Sequence, residues 1–231
     1  MELKLAGQST CYIVAEGPRC LNTGTAFFIG PSTLITAGHL AYKRGTKLIA
    51  VLPGTLSVQE SAETLWSGQG NLPATFQCIV KKSLHREPPR NQDKTASTGI
   101  SVLKSVPWNR SKRVAIDISV LDCSGRYEAK QWLTIERKTL ENDSLVDIVG
   151  YPGLYNIDNL RKMFKGTPID SEHERSAKEL LPPRDLTISH GIVVESGDKP
   201  AYKVTTVGGM SGSPVIVDGK AVGKSFADIN H

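Results

Sequence analysis

Short apolar runs, separated by turns at close spacing, make up most of this chain of 231 residues. They are rich in β-branched and aromatic residues and are bounded by Gly, Pro, Asn or Ser, a pattern typical of strands. The pattern therefore predicts an all-β protein, with a loop at 60–73, a polar connection at 123–142 and a short helix within 171–181. The predicted strands are 9–15, 23–30, 33–39, 47–52, 76–80, 115–121, 144–150, 186–195, 201–205 and a hairpin at 215–223.

The turn before the last hairpin, Val207-Gly-Gly-Met-Ser-Gly-Ser-Pro-Val215, places a serine between glycines. Glycine permits backbone conformations that other residues avoid and lets another group approach closely. The N–H groups of Gly209 and Ser211 would point at one spot, which is what an oxyanion hole beside the Ser211 hydroxyl requires. The alternative is an ordinary Gly/Ser turn between two strands.

Two further stretches supply the residues that a nucleophilic serine would need. Thr33–Leu40 places His39 at the end of an apolar strand pattern, and Ala115–Leu121 contains one acidic residue, Asp117, in an otherwise apolar strand. A serine nucleophile needs a general base, and the base needs a carboxylate to set its tautomer. The order His, Asp, Ser is one of the known orders of this triad. Taken singly, a histidine beside a strand is usually structural, and an aspartate in a strand is usually a feature of register or of a sheet edge.

The three stretches together resemble the trypsin-like (chymotrypsin-fold) serine peptidases, from about Thr23 to Phe226. The motifs Ser211-Gly-Ser-Pro214 and Gly150-Tyr-Pro-Gly153 are most similar to the glutamyl-endopeptidase and HtrA-like branch. The resemblance implies a serine endopeptidase that hydrolyses peptide bonds of a protein or peptide substrate through an acyl-enzyme. It implies neither a cofactor nor a metal ion.

The resemblance also implies a fold. We expect two six-stranded Greek-key β-barrels packed together in one peptidase domain spanning the whole chain, with the active site in the cleft between them. Residues 1–135 would form the N-terminal barrel with His39 and Asp117, and residues 136–231 the C-terminal barrel with Ser211.

The substrate pocket is implied by position relative to the serine. Thr205 and Thr206 would line it, and Ser225 and Phe226 would lie on the facing strand. A threonine at position 206 is similar to glutamate-preferring enzymes, but their facing histidine is replaced here by Ser225 or a near neighbour. No acidic residue marks the base of the pocket. The residues therefore favour a small-to-medium polar or apolar side chain over Lys or Arg.

Positive charge is concentrated in one segment. The chain has a net charge of +5, whereas residues 81–113 alone carry nine Lys or Arg and two acids, Glu87 and Asp93, and therefore +7. A charged, proline-bearing stretch is usually a solvated loop. The more specific interpretation is that this segment forms a basic rim that binds an acidic partner. Nucleic acid is the less favoured partner, because no stacking residue beyond Trp108 accompanies the charges.

Composition excludes some classes of protein. No apolar run approaches the length of a membrane span, so no membrane partner is expected. Residues 1–7 lack the pattern of a signal peptide, which favours a cytoplasmic protein or a domain excised from a larger one. The four cysteines show no zinc-ligand spacing; a bridge between Cys11 and Cys20 is one possibility.

Two functions other than peptidase activity remain open from the sequence. One is a catalytically silent binding module on a peptidase scaffold, since a fold does not establish a function. The other is a binder of nucleic acid or acidic surfaces through residues 81–113. Labelling by an activity-based probe would distinguish an enzyme from a silent module. Salt-dependent binding of nucleic acid would support a binding function of residues 81–113.

Overall fold

The chain is mostly β-sheet, as the apolar pattern predicts. The elements whose bounds the structure describes are eleven strands and two short helices. The structure is a computed structural model, and the residues it describes are 2–16, 21–41, 44–53, 55, 62–68, 74–85, 117–137, 139–153, 175, 179, 182, 184–196, 200–204 and 206–224.

The first six strands close into an antiparallel barrel, here termed the N-terminal barrel. Its strands are β1 (Thr10–Glu16), β2 (Leu21–Gly30), β3 (Thr33–Ala37), β4 (Lys47–Val51), β5 (Thr75–His85) and β6 (Asp117–Asp122). They lie in the order β1-β2-β3-β6-β5-β4 around the barrel. This arrangement confirms the first of the two predicted six-stranded barrels.

The pleat of β6 decides which way its acidic residue faces. Side chains at alternate positions of a strand point to the same face. Along β6 the buried positions are Asp117, Ser119 and Leu121, and the residues between them are more exposed. Leu121 packs in the core of the barrel, so Asp117 lies on the inward face, at the end of the strand.

The remaining strands form a five-stranded antiparallel sheet, here termed the C-terminal sheet. Its strands are β7 (Leu145–Gly150), β8 (Thr187–Glu195), β9 (Ala201–Val204), β10 (Pro214–Val217) and β11 (Lys220–Lys224). Their order is β11-β10-β7-β8-β9. Since a closed six-stranded barrel is not formed by the described residues of this half, the second barrel stays a prediction, as does the domain boundary at residue 135.

Two helices and one strand extension depart from the prediction. Helix α1 (Glu2–Gln8) was not predicted, and helix α2 (Ala62–Ser67) lies within the predicted loop. Leu65 of α2 is buried against Tyr12 of β1, so tertiary packing stabilises a helix too short to be stable alone. Strand β5 continues beyond its predicted end to His85, because pairing with β6 satisfies the backbone of its polar residues.

An apolar cluster joins the N-terminal barrel to the C-terminal sheet. It includes Phe27 and Ile35 from the barrel and Val149 and Ile216 from the sheet. Burying an apolar side chain of this size contributes about 1.5–3 kcal/mol. The cluster therefore fixes the position of β3 relative to β10. His39 follows β3 in the chain, and Ser211 precedes β10.

The cysteines that the structure describes are free thiols in the N-terminal barrel. Cys11, Cys78 and Cys123 are all buried, and burial raises the pKa of Cys11. Cys11 is therefore not part of a disulfide, and the possible bridge to Cys20 is not formed; Cys20 itself lies outside the described residues. A buried thiol with a raised pKa is mostly protonated and therefore weakly reactive.

Most of the basic segment lies outside the described residues, which include only 81–85 of the range 81–113. Lys81 and Lys82 are exposed on β5. A basic rim for an acidic partner therefore stays a prediction.

Of the predicted helix at 171–181, the structure describes Arg175 and Glu179, both helical and 3.7 Å apart as an ion pair. Neither α1 nor α2 has the length that a membrane span requires.

Candidate active site

His39 and Asp117 meet because β3 and β6 are antiparallel neighbours. The register pairs Ala37 with Ile118, so Asp117 lies beside the turn that follows β3. That turn contains His39 and is closed by a hydrogen bond from the N–H of Ala41 to the carbonyl of Gly38, at 3.1 Å. Residues 78 positions apart in the chain are thereby brought into contact.

Both oxygens of the Asp117 carboxylate bind His39. The backbone N–H of His39 donates to Oδ1 at 2.6 Å, and ring Nδ1 lies 2.9 Å from Oδ2. An ionised carboxylate only accepts hydrogen bonds, so Nδ1 carries the proton and Nε2 is left as a basic nitrogen. The Asp117 side chain is 6% exposed and the His39 side chain 38%. The carboxylate is thus buried while the imidazole remains open to an incoming group.

Asp122, the other aspartate of β6, binds groups outside the His39 region. Its Oδ1 accepts hydrogen bonds from the hydroxyl and the N–H of Ser124, and Lys81 lies 3.7 Å from Oδ2. These contacts, led by the Ser124 hydroxyl, lower the pKa of Asp122.

A second histidine–aspartate pair lies on the C-terminal sheet. His190 Nδ1 is 2.6 Å from Asp147 Oδ1, but the His190 side chain is 73% exposed. The pair crosses two adjacent strands, β8 and β7. A histidine–carboxylate contact alone is therefore no indication of catalysis; the burial of Asp117 and its second hydrogen bond to His39 distinguish the His39 pair.

Ser211 lies in a pair of consecutive tight turns that lead into β10. The N–H of Met210 donates to the carbonyl of Val207, and the N–H of Ser213 to the carbonyl of Met210, both at 3.1 Å. The third residue of each turn is a glycine with positive φ, 91° at Gly209 and 90° at Gly212. A type II turn requires positive φ at this position. The two glycines therefore give the backbone around Ser211 its shape.

Thr25 of β2 connects this turn to the barrel. Its N–H donates to the Ser211 carbonyl at 2.9 Å, and its hydroxyl donates to the Gly209 carbonyl, also at 2.9 Å. The same hydroxyl accepts a hydrogen bond from the N–H of Tyr151. The Thr25 carbonyl accepts one from the Thr36 hydroxyl at 2.7 Å. One residue thus links the serine turn, the Gly-Tyr-Pro-Gly motif and β3.

Close backbone packing brings the turns around Ser211 next to the turn that contains His39. A side-chain carbon placed on Gly24 would contact the Leu40 side chain and would lie 3.2 Å from the Ser211 carbonyl oxygen. A carbon placed on Gly212 would lie 2.8 Å from the nitrogen of Ala37. The neighbours of His39 in the chain and the backbone of Ser211 therefore share one small region between the N-terminal barrel and the C-terminal sheet.

Substituting Gly212 by alanine should destabilise the protein strongly. An L-residue at positive φ costs about 1–2 kcal/mol, and the added methyl group would also collide with Thr36 Oγ1, 2.6 Å away. We expect Gly212→Ala to lower the free energy of unfolding by about 3 kcal/mol, measured by urea denaturation. Gly125→Ala is the matched control, because Gly125 has φ 73° with nothing within 4 Å of the added methyl group. Equal losses in both variants would contradict this packing argument.

The pocket residues are only partly described. Thr206 is buried at the entrance to the serine turn, 5% exposed. Thr205, Ser225 and Phe226 lie outside the described residues. The specificity of the pocket therefore stays a prediction. The same holds for the expectation that no metal or cofactor is required, although the described residues contain no cluster of three potential metal ligands.

The sequence patterns missed two residues at this site. Thr25 lies in an unremarkable strand, and only the tertiary structure reveals its role. Lys224 ends β11, where a lysine is normally solvated, yet its side chain is 9% exposed and its Nζ lies 3.3 Å from Asp117 Oδ2. Burial lowers the pKa of Lys224, and the charge of Asp117 opposes that effect.

Several solved structures align with nearly the whole of this chain. The chain aligns with the Rv3671c protein of M. tuberculosis in the inactive form of its serine-to-alanine mutant, with a TM-score of 0.54 and 13% identity, covering 99% of this chain and 79% of that one. A second inactive form of the Rv3671c protease gives 0.53 and 14%, covering 99% and 82%. The active form from M. tuberculosis gives 0.50 and 16%, covering 99% and 74%.

Sequence comparisons add nothing to this result, because no protein-family model and no curated protein matches the chain. The likeness supports the predicted trypsin-like peptidase fold and gives no support to the glutamyl-endopeptidase branch. At such low identity it concerns the fold alone. The chain therefore shares the trypsin-like peptidase fold of these proteases.

Proposed function

We propose that this protein is a serine endopeptidase that cleaves peptide bonds with a triad of Ser211, His39 and Asp117. Asp117 holds the His39 ring through Oδ2 and the His39 backbone through Oδ1. Nε2 of His39 accepts the proton of the Ser211 hydroxyl as the oxygen attacks the peptide carbonyl. The imidazolium then gives this proton to the leaving amine, and water hydrolyses the acyl-enzyme by the reverse route.

The N–H groups of Gly209 and Ser211 stabilise the oxyanion that develops during attack. The positive φ of Gly209 turns the backbone sharply just before the serine. The peptide groups that carry these two N–H donors are held through their carbonyls: the Gly208 carbonyl accepts a hydrogen bond from the N–H of Gly153, and the Met210 carbonyl accepts one from the N–H of Ser213. A donor fixed before the reaction costs no reorganisation, and each such donor contributes about 10²–10³ in rate.

One observation carries this proposal. It is the two-point hydrogen bond between a buried carboxylate and His39, located next to the double turn that bears Ser211. The exposed pair of His190 and Asp147 has the same ring-to-carboxylate contact, but no nucleophile motif occurs within its strands. The structural likeness to the Rv3671c protease supports the same reaction class. The substrate is a peptide whose key side chain is small to medium and polar or apolar.

A fluorophosphonate probe tests the proposal, because such a probe reacts with an activated serine hydroxyl. We expect covalent labelling of the native chain, which mass spectrometry of the peptide containing residues 207–217 assigns to Ser211. Ser213→Ala is the control. Its hydroxyl is buried and has no hydrogen-bond partner among the described residues, so its removal should leave labelling intact.

Absence of labelling in a folded wild-type protein would contradict the proposal and favour a silent binding module. Labelling that persists in Ser211→Ala would show that another residue reacts. The binding alternative for residues 81–113 is tested separately by salt-dependent nucleic-acid binding, since neutralising Lys81 and Lys82 leaves the described site unchanged.

A further inference from the structure

Lys224 reaches Asp117 from the opposite half of the molecule. It ends β11, and its Nζ lies 3.3 Å from Asp117 Oδ2, the same oxygen that binds Nδ1 of His39 at 2.9 Å. One carboxylate oxygen therefore contacts both a lysine and the candidate general base. Lysine is among the residues least often buried unless it is paired, so a lysine that is 9% exposed here indicates a specific role.

Among the described side chains, two basic groups face this carboxylate. His39 faces it from the turn after β3, and Lys224 faces it from β11. On β5, the other neighbour of β6, the register places His85 opposite Asp117; the side chain of His85 is not among those described. Burial disfavours the charged form of Lys224, and Asp117 is the charge that opposes this effect.

Because both contacts share Oδ2, the lysine nitrogen lies within about 6 Å of His39 Nδ1. At this distance, in a partly buried site, a positive charge on Lys224 repels a positive charge on the imidazole appreciably. The lysine also stabilises Asp117 as a carboxylate without adding a proton to the pair. The Lys224 cation thus opposes protonation of the His39 ring. It also keeps Asp117 ionised, so that the carboxylate can accept the hydrogen bond from Nδ1.

We infer that Lys224 is a positioning residue that holds Asp117 across the boundary between the N-terminal barrel and the C-terminal sheet and sets the pH at which the His39–Asp117 pair takes up a proton. The catalytic importance of this role rests on the proposed peptidase function. The physical effect on the pair does not, because it depends only on the contacts around Asp117.

The test compares wild type with Lys224→Met and Lys224→Gln, both of which remove the cation. The ring signals of His39, assigned by their loss in His39→Gln, are followed by NMR as the pH is lowered. Without the cation the protonated ring is less disfavoured, so the signals should move at a pH higher by about one unit. The acidic limb of kcat/KM should move in the same direction by the same amount.

Two variants control for structure and for charge. Lys220→Met removes a lysine from the same strand whose side chain is 55% exposed and paired with Glu136 at 2.6 Å, and it should leave the His39 signals unchanged. Lys224→Arg retains the positive charge and should restore the wild-type pH. The KM should change little in either case, because neither residue is placed in the substrate pocket.

The inference is overturned if folded Lys224→Met or Lys224→Gln titrates its His39 ring at the wild-type pH, or if Lys220→Met moves it equally. Failure of both neutral variants to fold, with a normal Lys224→Arg, would assign the lysine a purely structural role and overturn it as well. A shift of the ring signals in a protein without peptidase activity would sustain the inference and reject the proposed function.

Discussion

Ser211→Ala should abolish peptide hydrolysis while leaving the fold intact. In a serine peptidase the loss of the nucleophile lowers kcat by about 10⁶, since no other group can form the acyl-enzyme. The side chain of Ser211 is small, and the contact that anchors it to the barrel uses its backbone carbonyl. The thermal midpoint should therefore remain within a few degrees of wild type.

The measurement is kcat/KM on a peptide library or on the best substrate found in it, with Ser213→Ala as the matched control. Both serines lie in the same turn, but the Ser213 hydroxyl has no partner among the described residues. Retention of more than about one per cent of wild-type activity in Ser211→Ala would reject Ser211 as the nucleophile.

Asp117→Asn should lower kcat by about 10⁴ with little change in geometry, the size of effect expected when the histidine is held in the wrong tautomer. The asparagine amide is nearly the same shape as the carboxylate, so it fits between His39 and Lys224. It presents an N–H₂ group where the ring and the lysine need acceptors. The ring of His39 would then adopt the other tautomer, in which an unprotonated Nδ1 accepts from the Asn amide and Nε2 carries the proton. Nε2 could no longer act as the base.

Asp147→Asn is the matched control for this prediction. Asp147 also contacts a histidine, at 2.6 Å, but on the exposed surface of the C-terminal sheet. Its substitution should change kcat by less than twofold, because surface pairs of this kind contribute little. If the two variants lost activity to the same degree, the buried pair would have no special place in the reaction.

Local patterns allowed a large part of the fold to be predicted. The strand at 33–39 was expected from its apolar residues and ends at Ala37 in the structure. The strand at 47–52 was expected in the same way and ends at Val51. Helix α2 was missed, because six residues carry too weak a periodic pattern and the helix depends on the burial of Leu65.

The candidate site divides in a similar way. His39, Asp117 and Ser211 could be chosen from sequence because each lies beside a strand or glycine pattern that is visible within ten residues. Their catalytic roles remain predictions, whereas the contact between His39 and Asp117 is a feature of the structure. Lys224 and Thr25 could not be chosen, because nothing in their neighbouring residues distinguishes them from ordinary strand positions.

By itself, the sequence determined the strands of the N-terminal barrel, the glycine-shaped turn around Ser211 and the choice of candidate residues for acyl transfer. These properties depend on side-chain periodicity and backbone freedom, which act over a few residues. Only the tertiary structure decided the strand order, the register that pairs Ala37 with Ile118 and the burial of Lys224 against Asp117. Those depend on which surfaces exclude water together, and the chain brings such surfaces together from positions about one hundred residues apart.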